Sequence, residues 1–279
     1  MKKYLLFFIG AFCVLNPSFA EEVVLSDTYA ADDGYNVEEP LPTTSNDTYQ
    51  NKQKITPSRK SLLVNDTSDP LYFIGDNQFL SDTFVYFYDE HMRLGQYIGY
   101  GINNNFTVHT NMHYQFDFSG EHENGFSATE FGGEYRMNHG TGRMRLISDA
   151  LFGLKAWGSS HVRTPEYADS SYYAGLRFGR QYTGITLAGT VKSTWVFDNA
   201  RGLSYIDFIP EAYFRFQYDL RAGIGFDLRK STNTHLLEDQ EWLNLKFLRQ
   251  YGNTQYVGHI DYEFDKGKFQ IGFDVKVLF

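Results

Sequence analysis

The sequence predicts an all-β fold: an antiparallel transmembrane β-barrel of about 12 strands, within a range of about 10 to 14. Large apolar residues recur at every second position over most of residues 71–279, aromatic residues gather near predicted strand ends, and short and long connections alternate. The 279 residues are 18% aromatic, yet their mean hydropathy is −0.42. Such a chain is too polar for a bundle of membrane helices and too apolar to be disordered throughout.

Residues 1–20 are expected to be a cleavable signal peptide. Lys2 and Lys3 form a basic start, residues 4–15 are largely apolar, and Ser18-Phe19-Ala20 supplies the small residues of a cleavage site after Ala20. The single cysteine, Cys13, lies inside this segment. We therefore expect an exported chain without a disulfide.

Residues 21–70 predict a disordered, acidic periplasmic arm. They contain four of the seven prolines and show neither the period of a strand nor that of a helix. Only Pro165 and Pro210 follow residue 70, so the barrel is assigned to residues 71–279. Because the arm is tethered at the periplasmic mouth, the alternative is that it enters the lumen as a plug.

The last predicted strand shows the alternation best. Its large apolar residues share one face: Phe269, Ile271, Phe273, Val275, Val277 and Phe279. Successive side chains of an extended strand point to opposite faces, so one face is apolar and the other polar. The apolar face would meet a second sheet in a soluble sandwich and lipid in a barrel.

The sequence ends on Phe279, preceded at every second position by Val277, Val275 and Phe273. This pattern resembles the C-terminal strand signal of Gram-negative outer-membrane β-barrel proteins. The resemblance implies a location in the outer membrane, contact with its lipid, and the barrel-assembly machinery as a partner.

Strands are predicted at 79–88, 93–102, 106–118, 126–137, 143–157, 172–182, 185–197, 205–218, 220–229, 242–250, 256–264 and 269–279. The links on the side of the arm are short. The long links all lie on the other side, at residues 119–125, 158–171, 198–204 and 230–241. Short turns at one end and long polar loops at the other are typical of bacterial outer-membrane barrels.

With the apolar face outward, the alternation places charged residues of both signs in the lumen. We predict the following pore-lining residues: Arg177, Lys192, Asp207, Glu211, Arg215, Arg221, Asp227, Asp261 and Glu263. The interpretation is a narrow porin-like channel for small polar solutes, with Arg177, Arg215 and Arg221 opposite Asp207 and Glu211. The alternative is a closed structural or surface-interaction barrel that acts through its extracellular loops, above all the loop 158–171.

No catalytic residue, metal site or cofactor is predicted. The outer-membrane phospholipase and lipid A deacylase families place a histidine two residues before a serine, and none of the 8 histidines here has that spacing. Asp89-Glu90-His91 matches half of the omptin protease pattern, but no Asp-x-Asp follows in the barrel. The net charge of −9 argues against a nucleic-acid partner, and the oligomeric state is left open.

Overall fold

The computed structural model describes residues 66–120, 124–140, 145–156, 158, 170–197, 204–216, 219–232 and 239–279. The predicted signal peptide, residues 21–65 of the predicted arm and nearly all of the loop 158–171 lie outside these residues. The strands are β1 (Phe79–Tyr88), β2 (His91–Asn103), β3 (Phe106–Asp117), β4 (Gly125–Phe126), β5 (Thr129–His139), β6 (Leu146–Ala156), β7 (Ser171–Gln181), β8 (Ile185–Val196), β9 (Ser204–Arg215), β10 (Leu220–Ser231), β11 (Gln240–Tyr251), β12 (Thr254–Glu263) and β13 (Lys268–Leu278).

The strands form a closed antiparallel ring. β4 has 2 residues and pairs with β3, and the other 12 strands follow one another around the barrel. β1 pairs with β2 on one side and with β13 on the other, which closes the ring without a free edge. The prediction of an antiparallel barrel of about 12 strands is confirmed, and the predicted strand ends agree to within 3 residues. No helix in the described part of the chain is long and apolar enough to span a membrane.

The first and last strands meet through a pair of phenylalanines. The Phe79 amide donates a hydrogen bond to the Phe279 carbonyl (3.1 Å), and the Phe279 amide donates to the Phe79 carbonyl (2.8 Å). Their rings lie 5.8 Å apart, and Val275 of β13 is paired in register with Thr83 of β1. The residues of the predicted assembly signal therefore form one side of the closing seam. Their recognition by assembly machinery stays a prediction.

Large apolar side chains cover the outside of the ring. Leu176 in the middle of β7, Phe247 of β11 and Phe269 of β13 are about half exposed, whereas polar residues of the opposite parity, such as Asp149 and Thr186, are fully buried. The same alternation runs through the sequence of each strand. The outside thus presents the apolar surface that lipid requires.

Replacing Leu176 by arginine is expected to destabilise the barrel in lipid vesicles by about 2–4 kcal/mol, the cost of a cation at the bilayer midplane. Leu146 is a matched control, because it also faces outward but is the first residue of β6, at the rim. Leu146→Arg should cost about 1 kcal/mol or less. Urea unfolding in vesicles measures both. Equal losses of unfolding free energy would contradict the assignment of the lipid face.

The two ends of the barrel differ. At one end, called here the short-turn rim, residues 104–105 join β2 to β3 and residues 252–253 join β11 to β12. Gly252 has a φ of 58°, which a tight hairpin requires. At the other end, the long-loop rim, residues 232–239 join β10 to β11. The predicted asymmetry of the connections is therefore present in the ring.

The chain that precedes β1 lies inside the barrel. Residues 66–78, called here the strap, enter β1 at the short-turn rim, and their side chains from Asp66 to Leu71 are buried. The chain therefore already follows the wall before the predicted boundary at residue 70. The physical reason is that the acidic residues of this stretch find cationic partners on the wall. Residues 66–70, the part of the predicted arm that the structure describes, thus lie in the lumen, and their action as a plug stays a prediction.

Candidate functional site

The structure places every predicted pore-lining residue on the inner face of the wall. Cross-strand pairing joins Lys192 to Asp207 and Asp207 to Arg229, so their side chains share one face. The same parity holds for the complete predicted set: Arg177, Lys192, Asp207, Glu211, Arg215, Arg221, Asp227, Asp261 and Glu263. Their role in a pore stays a prediction.

The most deeply buried ion pairs lie between β5, β6 and β7. Asp149 is 0% exposed and accepts hydrogen bonds from Arg136 Nε (2.7 Å) and Arg177 Nε (2.8 Å). Arg177 also donates to Glu134 Oε2 (2.6 Å). Register pairing places Arg136 and Arg177 on either side of Asp149. Asp149 thus bridges two arginines, and Glu134 supplies the second negative charge that balances them.

A second set of ion pairs lies on β8 to β11. Arg229 Nε donates to Asp207 Oδ1 (2.6 Å), and Lys192 Nζ lies 3.6 Å from Asp207 Oδ2. Lys246 Nζ donates to Glu211 Oε1 (3.0 Å). These charges pair with wall residues on adjacent strands or on strands close by.

The predicted arrangement of arginines opposite acids is wrong in this part of the wall. Arg215 lies on β9 together with Asp207 and Glu211, and Arg221 lies on the adjacent strand β10. Alternation along a strand tells which face a residue takes, but not where its strand lies around the ring. Local pairs of opposite sign therefore replace the expected field across the lumen.

The strap is bound to the wall near the short-turn rim through two carboxylates. Asp66 accepts hydrogen bonds from Tyr213 Oη (2.6 Å), Arg215 Nε (3.2 Å) and Gln255 Nε2 (3.1 Å). Asp69 accepts a hydrogen bond from Thr186 Oγ1 (2.6 Å) and forms a short ion pair with Arg215. Residues of β8, β9 and β12 thus hold the beginning of the strap.

Burial raises the pKa of the Asp69 carboxyl above its ordinary value, while hydrogen bonds from Thr186 and the Leu71 amide act in the opposite direction. Taking this charge out of water therefore costs more than its neighbours return.

The backbone of the strap is also bound across the lumen. Arg136 donates to the Leu71 carbonyl (2.8 Å), and Thr107 Oγ1 donates to the Ile74 carbonyl (3.2 Å). Leu71 is 0% exposed and packs against Ile147 of β6. The strap therefore runs along the inside of the ring near the short-turn rim, from β9 and β12 past β6 and β5 to β3.

The described residues line two cavities in the lumen. One of about 280 Å³ lies toward the long-loop rim and is lined by Tyr88, Trp242, Asp227, Asp261 and Glu263 among others. The other, of about 350 Å³, lies against the strap and is lined by Asp69, Tyr72, Arg177, Glu211 and Lys246 among others. Both have walls with charges of both signs, and the strap forms one boundary of the second.

Sequence reasoning missed the uncharged partners of the strap and the strap acids themselves. Tyr213, Gln255 and Thr186 are inward by the same parity that found the charged residues, and each is nearly or completely buried. Selecting only charged residues excluded them. Asp66 and Asp69 lie in a stretch without periodicity, and a Thr-Ser pair between two acids carries no signal of its own.

Two histidines of the lumen lie beside carboxylates of the wall. His109 Nε2 lies 3.5 Å from Glu130 Oε1, and Tyr173 Oη donates to the same carboxylate oxygen (2.8 Å). His259 Nε2 lies 2.7 Å from Asp274 Oδ2. Within the described ranges, no group of three or more His, Cys, Asp and Glu side chains is arranged to hold a metal ion.

The geometry can be compared with known proteins. No family model matches the sequence, and no curated protein matches it. Solved structures do match: the KdgM porin has a TM-score of 0.53 at 14% identity, covering 71% of this chain and 98% of that chain. The chain has the outer-membrane β-barrel fold.

Two further structures share this fold. The KdgM porin in complex with disordered oligogalacturonate has a TM-score of 0.54 at 14% identity, covering 71% of this chain and 98% of that chain. The COG4313 outer membrane channel from Pseudomonas putida F1 has a TM-score of 0.51 at 10% identity, covering 74% of this chain and 97% of that chain. At these identities, the likeness concerns the barrel architecture.

Proposed function

We propose that this outer-membrane barrel is a narrow porin-like channel for small polar solutes. The observation that carries the proposal is an inner wall with charges of both signs around cavities of about 280 and 350 Å³. Charged groups at such a density are costly in a dry interior but favourable beside water. Outer-membrane lipid surrounds the barrel, and a cleavable signal and the barrel-assembly machinery bring it there.

The class of solute follows from the same wall. Arg177, Glu211 and Lys246 line the cavity beside the strap, and Trp242 and Asp261 line the cavity toward the long-loop rim. Charges of both signs favour hydrophilic solutes without strong selection for one sign. The complex of a similar porin with oligogalacturonate supports a hydrophilic cargo. The proposal includes no catalytic activity, cofactor or nucleic-acid partner.

Conductance in planar bilayers tests the proposal. We expect discrete conductance steps, with a reversal potential in a KCl gradient that responds to the Lys246–Glu211 pair. Glu211→Gln leaves Lys246 uncompensated and should shift the potential toward the chloride value, whereas Lys246→Gln should shift it toward the potassium value. Arg249→Gln is the control, because Arg249 lies on the outside, stacked on Tyr251.

If neither the full chain nor a chain whose strap cannot dock shows conductance steps, the proposed channel function is contradicted. That outcome would favour the closed structural or surface-interaction barrel. The loop 158–171 would then be the candidate contact, and its deletion should abolish partner binding while the barrel stays folded. Opposite shifts in Glu211→Gln and Lys246→Gln, with none in Arg249→Gln, would place the ion path along this wall.

A further inference from the structure

Two arginines of the wall depend on the strap for their charge balance. Arg215 of β9 and Arg221 of β10 are paired directly across the two strands, and their side chains are 12% and 15% exposed. Cations this close repel each other strongly where little water screens them. The wall arginines Arg136, Arg177 and Arg229, in contrast, each have a carboxylate of the wall as a partner.

The counter-charge at this place comes from Asp66 and Asp69. Among the described residues, the ion-pair partners of Arg215 are these two strap acids. Arg221 Nε lies 3.6 Å from Asp66 Oδ2, and the second ion pair of Arg221 within the described ranges is with Asp219, an exposed turn residue at 3.7 Å. Withdrawal of the strap would therefore leave adjacent buried cations without a buried counter-ion.

Uncharged donors complete the surroundings of the Asp66 carboxylate. Tyr213, which is 0% exposed, and Gln255, which is 1% exposed, both donate to Asp66 Oδ1. Arg215 and Arg221 approach Oδ2. Each oxygen of one carboxylate thus faces its own donors, and those in the described part of the chain belong to the wall. This geometry recognises a carboxylate rather than a general negative charge.

We propose that Arg215, Arg221, Tyr213 and Gln255 form a carboxylate-binding site that Asp66 of the strap occupies in the closed barrel. A solute with a carboxylate group competes for the same donors, displaces the strap and opens the short-turn mouth. The strap is thus a tethered internal ligand, and the site is both a gate and a solute site. This inference rests on the proposed channel function and adds its ligand class and its regulation.

Thiol labelling reports the position of the strap without requiring ion flow. Ser68 is buried in the strap at 5% exposure, so a cysteine placed there should react slowly while the strap is docked. The full chain with Cys13→Ser and Ser68→Cys, reconstituted in vesicles, is treated with a hydrophilic maleimide. Sodium succinate is the probe, and succinamide at equal concentration and ionic strength is its neutral control.

Succinate is expected to accelerate labelling at least about fivefold, the lower end of typical coupling between two sites, whereas succinamide has no effect. In Asp66→Asn, half-maximal acceleration should need about tenfold less succinate, because the strap has lost a charge-assisted hydrogen bond. In Arg221→Gln, the labelling rate should be the same with and without succinate. Arg249→Gln, an outward arginine near the same rim, should respond like the parent chain.

An unchanged rate with succinate, an equal acceleration by succinamide, or an unaltered response in Arg221→Gln overturns the proposal. Conductance recorded in parallel separates this inference from the channel function. A chain that conducts but ignores succinate contradicts the gate alone. If succinate accelerates labelling but no conductance follows, the channel function is contradicted, while the response of the strap to a carboxylate stands.

Discussion

Replacing Asp149 by alanine is expected to lower the free energy of unfolding by about 3–5 kcal/mol, the usual effect of removing one partner of a buried ion pair. Asp149 is 0% exposed and accepts hydrogen bonds from both Arg136 and Arg177. Without it, Arg136 keeps the Leu71 carbonyl and Arg177 keeps Glu134. Two guanidinium groups would thus share a single remaining carboxylate of this network.

Urea unfolding in vesicles, followed by tryptophan fluorescence, measures this loss. Asp149→Asn retains the shape of the side chain and removes its charge, so it separates charge balance from the void that alanine leaves. The control is Asp239→Asn, because Asp239 pairs with Lys230 at an exposed position and should contribute little. A similar loss in Asp149→Ala and Asp239→Asn would contradict the assignment of Asp149 as the centre of a buried network.

Replacing Gly101 by valine is expected to prevent docking of the strap. A β-carbon at Gly101 would lie 1.8 Å from the Gly75 carbonyl oxygen, which is part of the strap backbone and cannot move without the strap. Inserting atoms into such a contact costs about 1–3 kcal/mol. That cost shifts the ratio of undocked to docked strap about 5- to 150-fold. Channel current at a fixed voltage should rise accordingly.

Gly258→Val is the matched control. It adds the same atoms to a strand glycine, but Gly258 faces outward and the nearest atom to its β-carbon is 3.8 Å away. Current and Ser68→Cys labelling should both rise in Gly101→Val and stay at the parent level in Gly258→Val. If Gly101→Val barrels unfold in urea like the parent chain yet show no rise in either measurement, the strap does not close the mouth.

Much of the barrel was predictable because its physics is local. Large apolar residues of β13 alternate with polar or small ones as far as Val277, and that pattern alone indicates which of these side chains face lipid. Strand ends coincide with turn residues such as Gly252, so they could be placed closely. Closure of the ring was also predictable, because an open strand edge would leave backbone groups without hydrogen-bond partners in lipid.

The lumen was less predictable because its contacts join distant parts of the sequence. Asp66 contacts Tyr213 and Gln255, which are 147 and 189 residues away. Periodicity indicates that Arg215 faces inward, but it does not indicate whether a wall acid or a strap acid will neutralise it. Pairing around the ring and occupancy of the lumen require the closed structure.

The covalent continuity of the strap with β1 has a quantitative consequence for any competing solute. Asp66 lies only 12 residues before the last strap residue, so its carboxylate is held near Arg215 at a local concentration of millimolar order. A free carboxylate with similar contacts must reach a comparable concentration to take its place. The barrel would therefore stay closed in dilute surroundings and open where such solutes are abundant. The length of the tether would set the solute concentration at which it opens.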